Sequence, residues 1–291
     1  MSKAKKKNPP GRHHFLPQFF IKRFSQNTDQ TVYVYDKKYD HLGSIPQHPV
    51  EICYREHLYS LGSARNRFPF LEEAFSLFET KWADVFRMLD QDLLEANALL
   101  LDENAVNLVR FFYTCQFWRS PRRRDLAYET ADRLMALYDD MDKPKYLLAQ
   151  IERKDLKRIV KLKASVDNMK IIQNFLFPLM TYMTPVARDA KFHVIKKPMS
   201  YDLDLLCADV GVVGGTIEDV FSGDDVRFFP FSSQRLLVVS RDVEEITADA
   251  VDQFQKLLFS TASQHIFCAT QDGLTKHVNR FRGKHQFDGA N

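Results

Sequence analysis

The chain has 291 residues, of which 45% are hydrophobic and 27% are charged, a balance that is typical of a folded protein and excludes a chain without a core. Its 24 phenylalanines against 10 glycines favour a helix-rich, aromatic core over a turn-rich β structure. The formal net charge of +3 excludes a strong overall positive field, so any attraction to nucleic acid must come from local cationic patches.

Cysteine spacing and hydropathy narrow the class of protein further. The four cysteines lie far apart and form no C-x-x-C pair, which argues against a zinc knuckle and a thioredoxin-like redox motif. The basic segment Lys3–Lys7 is followed by Asn-Pro-Pro-Gly rather than by an apolar run, and no apolar run approaches the roughly 18 residues of a membrane-spanning helix. We therefore expect a cytoplasmic protein with no membrane segment.

The N-terminal part is predicted to be a basic flexible arm (1–11) followed by a motif region (12–66). A short helix is expected to begin near Pro17, because proline suits the first helical turn, where its missing N–H would have no partner. Strands are expected at Thr31–Tyr35 and Leu58–Leu61, where residues with high β propensity are concentrated.

Residues 67–185 are predicted to form a helical region. Apolar side chains recur there with a period of about 3.6 residues, which indicates amphipathic helices. The expected helices are Pro69–Leu94, a helix from the N-cap Asp102 to Ser120-Pro121, a helix from Arg122 to Tyr138, and a strongly basic helix from about Lys154 to Leu176 that is closed by Pro178.

Residues 186–282 are predicted to be rich in β structure and to contain one helix, and 283–291 are predicted to be a polar tail. The expected strands are Phe192–Ile195, Leu205–Val213, Val226–Phe231, Arg235–Ser240 and Ile266–Thr270, with the helix at about Thr247–Gln264. The whole pattern predicts an α+β fold, in which a central helical bundle packs against a small, mainly antiparallel sheet built from the N- and C-terminal regions. We expect one compact unit.

The most distinctive segment is Arg12–Phe24, which contains the only adjacent histidines in the chain, His13 and His14, followed by Pro17. This segment resembles the start of the bacterial domain of unknown function 4238 family, whose members typically show a His-His-x-x-Pro-x-x-x-Leu-x-x-Phe pattern. The resemblance implies no settled activity.

Two further segments extend the resemblance along most of the chain. Gln116, Arg119 and Pro121 match a Gln-x-x-Arg-x-Pro element that the family usually shows after its central helix. A Ser-Asp-x-Pro element corresponds here to residues 208–211, where only Asp209 is kept. The missing serine and proline argue against a role that needs a hydroxyl beside this aspartate.

The residue types in these segments suggest acid–base chemistry on a phosphate. A neutral imidazole can transfer a proton near neutral pH, and a guanidinium binds phosphate in a bidentate manner. His13, His14 and Arg119 are therefore the candidate catalytic residues, although adjacent residues of a strand point to opposite sides and only one histidine is expected to face a cleft. The candidate substrate-binding residues are Gln18, Arg23, Gln116 and Asp209.

Other sites receive less support from the sequence. A metal site could combine Asp36, Glu72 or Asp209 with one of the histidines, but no ligand spacing is diagnostic, so no metal is predicted and the cofactor stays open. Gly214-Gly215 lacks the phosphate-binding fingerprints of nucleotide-binding folds.

Two functional hypotheses follow. The first is a nuclease that acts on RNA or DNA, with His13 or His14 as the acid–base group and Arg119 as the phosphate ligand. Its expected setting is a bacterial or phage conflict. The second is a non-catalytic binding or protein-interaction module with a structural His-His-Pro motif, in which Arg119 holds a buried carboxylate such as Asp209. The oligomeric state is not predicted.

Overall fold

The computed structural model describes residues 11–63, 66–140, 151–183, 190–213, 227–240 and 246–283. The predicted basic arm and the predicted tail lie almost entirely outside these residues. The described α-helices are α1 (Gln18–Lys22), α2 (Phe70–Met88), α3 (Leu93–Leu99), α4 (Glu103–Arg119), α5 (Arg124–Thr130), α6 (Arg133–Asp140), α7 (Arg153–Lys161), α8 (Val166–Ile171), α9 (Phe177–Met183), α10 (Ala248–Thr261) and α11 (Gln271–Phe281). The described strands are β1 (Arg12–His14), β2 (Tyr33–Asp36), β3 (His41–Leu42), β4 (Tyr54–Glu56), β5 (Leu61–Ser63), β6 (Asn66–Phe68), β7 (Lys191–Lys196), β8 (Cys207–Ala208), β9 (Arg227–Pro230), β10 (Arg235–Ser240) and β11 (His265–Cys268).

The largest described sheet joins the two ends of the chain. Its strand order is β3-β2-β11-β8, with every pair antiparallel, so Ile266 of β11 lies opposite both Tyr35 and Ala208. A second antiparallel sheet has the order β7-β10-β9, and two smaller pairs are β1-β4 and β5-β6. These sheets and the helices between them confirm the predicted α+β class and the antiparallel pairing of N- and C-terminal strands.

The central element of the helical part is α4. Its final residues are buried on every side, and Phe112 meets Phe20 of α1 and Phe86 of α2 at ring-centroid distances of 4.9 and 4.7 Å. Asp102 caps the helix by accepting a hydrogen bond from the Ala105 backbone N–H at 2.9 Å, as its sequence position predicts. The buried helix carries Arg119 at its end, directly beneath the motif strand.

Two predicted helices before the basic helix have different bounds in the structure. The helix predicted to reach Leu94 ends at Met88, because Asp92 caps a separate helix by accepting from the Leu94 N–H at 2.8 Å. The helix predicted from Arg122 to Tyr138 is divided between α5 and α6, after a 3₁₀ turn at Pro121–Arg123. Helix α11 was not predicted.

The basic helix differs most from the prediction. It is divided into α7, α8, a π-helical turn at Ile172–Leu176, and α9, which continues beyond the expected stop at Pro178. Pro178 is the second residue of α9, where a missing N–H is tolerated because the widened turn before it changes the hydrogen-bond register. Within the described residues, no helix has the length and apolar character needed to cross a membrane.

Candidate functional site

The side chains of the two motif histidines point to opposite faces of strand β1. The strand pairs with β4, so that His13 lies opposite Arg55 and His14 opposite Tyr54. Because side chains alternate along a strand, His13 is buried with 1% of its surface exposed, whereas Arg12 and His14 are turned toward a cleft. The adjacent imidazoles therefore occupy different environments.

His13 has a structural position behind the cleft. Its Nδ1 accepts a hydrogen bond from the Tyr59 backbone N–H at 2.9 Å, and its ring stacks on the Tyr59 ring with centroids 5.6 Å apart. Glu72 Oε2 lies 3.6 Å from the same Nδ1. A nitrogen that accepts from a backbone amide does not carry a proton, so this approach is not an ion pair. His13 fixes the strand against Tyr59.

Arg119 is the centre of a buried polar network. Only 1% of the residue is exposed; its Nε donates to the Tyr59 hydroxyl at 2.7 Å, and its Nη2 donates to the His14 carbonyl at 2.7 Å and to Glu79 Oε1 at 2.9 Å. The guanidinium also stacks over the Phe75 ring at 4.1 Å. Arg119 Nη1 is buried and makes no hydrogen bond to the described residues.

The ionisation of Arg119 is fixed by this network. Burial alone would lower the pKa of Arg119, but Tyr59 and Glu79 raise it above its ordinary value, so the side chain stays charged. Burial also raises the pKa of Tyr59, so its hydroxyl stays protonated and bridges to the His14 carbonyl at 3.3 Å. The side chain of Arg119 therefore clamps the motif backbone to helix α2.

His14 is the motif histidine that reaches the cleft. Its Nδ1 is 3.4 Å from Nε2 of Gln18, the first residue of α1, four positions further along the chain. Burial lowers the pKa of His14, and the positive charges of Arg119 and Arg12 act in the same direction, while backbone groups of Val50 and Pro49 oppose them. The neutral imidazole is thereby favoured near neutral pH.

The cleft has a volume of about 740 Å³ and lies between the motif region and α2. Its ionisable wall consists of Arg12, His14, Glu72, Glu79, Asp84 and Arg119. Burial raises the pKa of Glu72; the charge of Arg119 lowers this pKa and the charge of Glu79 raises it further. The ionisable wall contains two arginines and three carboxylates, so it has no excess of positive charge.

The structure brings together only part of the predicted site. His14, Gln18 and Arg119 line the cleft, with His13 directly behind it. Arg23 is on the far end of α1, where it forms an ion pair with Asp90 and its Nε donates to the Phe231 carbonyl at 2.8 Å. Arg23 is not part of the cleft wall.

Gln116 and Asp209 also lie outside the cleft wall. Gln116 is buried against Gly211, and its amide oxygen and nitrogen have no partner among the described residues. Both oxygens of Asp209 accept hydrogen bonds from consecutive backbone N–H groups of 263–265, at 2.7 to 3.1 Å. Asp209 thus holds the turn before β11, whereas Arg119 pairs with Glu79 instead of Asp209.

Sequence reasoning missed two members of the network, Tyr59 and Glu79. Glu79 lies off the apolar stripe of α2, a pattern that indicates a solvent-facing carboxylate, and Tyr59 lies in a segment predicted to be a strand. The only available signal was the need of a buried arginine for a carboxylate partner. Nothing in the spacing identified which carboxylate supplies it.

No metal centre is evident in the part of the chain that the structure describes, where no group of three or more His, Cys, Asp or Glu side chains is arranged to hold an ion. Fold and site thus define an α+β protein in which a buried arginine fastens a histidine-bearing strand beside a cleft of mixed charge.

The chain matches the family described as "Protein of unknown function (DUF4238)" over residues 12–280, nearly its whole length, and therefore belongs to that family. The resemblance seen in the sequence is confirmed. No curated protein and no solved structure matches the chain.

Proposed function

We propose that the protein is a binding module whose cleft takes a small polar ligand, and that the His-His-Pro motif builds one wall of this cleft. The observation that carries the proposal is the arrangement of Arg119, a residue of the cleft wall: two of its nitrogens hold protein groups, while its buried Nη1 has no partner among the described residues. A buried donor without a partner is costly, and a ligand oxygen would satisfy it.

The charges of the cleft favour a neutral or zwitterionic ligand over a polyanion. Arg119 is compensated by Glu79, and Asp84 forms an ion pair with Arg87 at 2.8 Å. Glu72 and Arg12 remain as one further acidic and one further basic residue of the wall, so the wall offers charged donors and acceptors in similar number. A nucleic-acid groove would instead present an excess of Lys and Arg toward the phosphates.

Blocking the cleft tests this proposal. Ser76 is an exposed cleft residue on α2, so Ser76→Trp would fill the cleft without disturbing the core. Leu77→Trp is the matched control, because Leu77 is 73% exposed on the same helix and lies outside the cleft wall. Purified protein is screened by thermal shift against free amino acids, nucleosides and mononucleotides, and hits are measured by calorimetry.

We expect at least one probe to bind the wild type and Leu77→Trp with equal affinity and to lose binding in Ser76→Trp. Equal affinity in all three proteins would place the bound molecule elsewhere and overturn the proposal. A screen in which none of these probes binds the wild type would overturn it as well.

A second candidate function is phosphodiester cleavage, the nuclease hypothesis of the sequence. The observation that favours it is His14, a cleft imidazole of lowered pKa whose own carbonyl is held by the Arg119 guanidinium. A neutral imidazole could accept a proton from an attacking hydroxyl, and Arg119 Nη1 could stabilise the developing charge. This function would suit the expected conflict setting.

Incubation with RNA and single- or double-stranded DNA, with and without EDTA, separates the two candidates. Under the binding proposal, neither wild type nor His14→Ala cleaves any substrate. Cleavage by the wild type that His14→Ala loses would replace the binding proposal with the nuclease, and the EDTA samples would show whether a metal takes part. Cleavage that persists in His14→Ala would exclude His14 as the acid–base group.

A further inference from the structure

A second cavity, of about 460 Å³, lies on the neighbouring face of α2, with Phe75 between it and the polar cleft. It is enclosed by α2, α4 and the segment from the π-helical turn into α9. Its wall is formed mainly by apolar and aromatic side chains, among them Leu71, Phe78, Leu108, Phe111 and Phe175. Cavities of this size and composition are characteristic of small-molecule sites.

The cavity wall contains one buried acceptor that is left without a partner. Asn174 is 2% exposed, and its Nδ2 donates to the Lys170 carbonyl at 3.0 Å, which fixes the orientation of the amide. Its Oδ1 has no hydrogen-bond partner among the described residues. Asn174 belongs to the π-helical turn, a feature that is frequent at functional sites.

The wall also excludes a charged occupant. None of the described residues that line the cavity is acidic or basic. Its two ionisable groups with shifted pKa values are the Cys115 thiol and the Tyr182 hydroxyl, and burial raises the pKa of both, so both remain neutral. An ionic ligand would lose its hydration here without gaining a counter-charge.

We infer that this cavity, which we call the apolar pocket, binds a neutral and largely apolar small molecule that carries one hydrogen-bond donor, such as a hydroxyl, directed at Asn174 Oδ1. The apolar body of the ligand replaces empty space against the aromatic wall, and its donor satisfies the buried acceptor. The pocket shares only Phe75 with the wall of the polar cleft, and the inference does not depend on what the cleft binds.

The chain contains a built-in reporter for this pocket. Trp82 lies behind the wall, with its ring 5.7 Å from both Phe78 and Phe111. The chain has two tryptophans, and the other, Trp118, stacks on Phe177 at 4.1 Å. In a Trp118→Phe background, emission therefore comes from Trp82 alone.

The test uses three probes of equal chain length and no near-ultraviolet absorption: 1-octanol, its methyl ether, and octanoate. In the Trp118→Phe protein we expect a saturable change of Trp82 emission with 1-octanol. The methyl ether should bind about fivefold more weakly, the effect of one neutral hydrogen bond. Octanoate should give no saturable change.

Two variants assign the effect to the pocket. Asn174→Leu should equalise the affinities for 1-octanol and its methyl ether, because the acceptor is gone while the side-chain volume is similar. Ala74→Phe should fill the pocket and abolish binding of both, whereas Ala98→Phe, on an exposed face of α3, should bind as before.

Three results would overturn the inference. One is an emission change that is linear in probe concentration, and another is binding that survives in Ala74→Phe. A preference for 1-octanol that persists in Asn174→Leu would overturn the assignment of the donor to Asn174. Circular dichroism of each variant confirms that its fold is intact before binding is measured.

Discussion

Replacing Arg119 with methionine should destabilise the protein strongly. Methionine keeps an apolar stem for the Phe75 ring but removes donors to the Tyr59 hydroxyl, the His14 carbonyl and Glu79. Removing one partner of a buried ion pair costs roughly 3 to 5 kcal/mol. Because the Glu79 side chain is 30% exposed and can turn toward water, we expect the lower end of this range, about 3 kcal/mol.

The loss is measured by urea unfolding, followed through tryptophan emission. A destabilisation of about 3 kcal/mol lowers Tm by roughly 5 °C in a chain of this size, because its entropy of unfolding is about 0.6 kcal/mol/K. Arg158→Met is the matched control, since Arg158 is an exposed arginine on α7, and it should stay within about 0.5 kcal/mol of the wild type.

A loss below about 1 kcal/mol would refute the view that Arg119 clamps the motif strand to α2, because it would mean that the three acceptors find equivalent partners. If such a variant also lost ligand binding or cleavage, Arg119 would act on the ligand and not on the fold. The comparison of stability with function therefore separates a structural from a catalytic arginine.

Burial lowers the pKa of His277 to about 4. Below pH 6.5 the unfolded chain therefore binds a proton that the folded chain excludes. As the pH falls from 6.5 to 4, the free energy of unfolding should fall by at most about 1.4 kcal/mol per pH unit. His277→Gln should flatten this dependence in urea titrations, and an unchanged slope would contradict the assignment. Asp209→Asn should cost about 1 to 3 kcal/mol in thermal unfolding, because one of two acceptor oxygens at a turn with three donors is lost, while ligand binding in the cleft stays unchanged. Gly211→Ala should lose about 1 kcal/mol or more in urea unfolding, since Gly211 has a φ of 57° and an added Cβ would lie 3.1 Å from Gln116 Cβ. Unchanged stability of the Asp209 variant would contradict the role of its hydrogen bonds, and unchanged stability of the Gly211 variant would contradict its close approach to Gln116.

Local signals were sufficient for the parts of the fold that depend on neighbouring residues. Asp102 and Ser120-Pro121 mark the two ends of α4 because capping and proline geometry act within one turn. Pro178 gave the wrong end for the basic helix, since the π-helical turn that accommodates it has no comparable local signature. Asp92 was overlooked as a cap because the apolar period of α2 continues past Met88 in the sequence.

The candidate site was predicted in part for the same reason. Strand alternation separated His13 from His14, and the family resemblance drew attention to Arg119. The partners of Arg119 could not be read from spacing, because Tyr59 and Glu79 reach it from elements that lie 60 and 40 residues away. Convergence of this kind depends on packing between elements.

The pairing of β2 with β11 has a consequence for how the chain acquires its structure. Tyr35 lies opposite Ile266, roughly 230 positions further along, so the central strand pair closes a loop that spans most of the chain. During synthesis, β2 and its neighbour β3 emerge long before β11 exists, so the edge of β2 that pairs with β11 stays unpaired while the helices form. Completion of the sheet is therefore a late event. The pairing of β11, followed by the packing of α11, is the last step of folding.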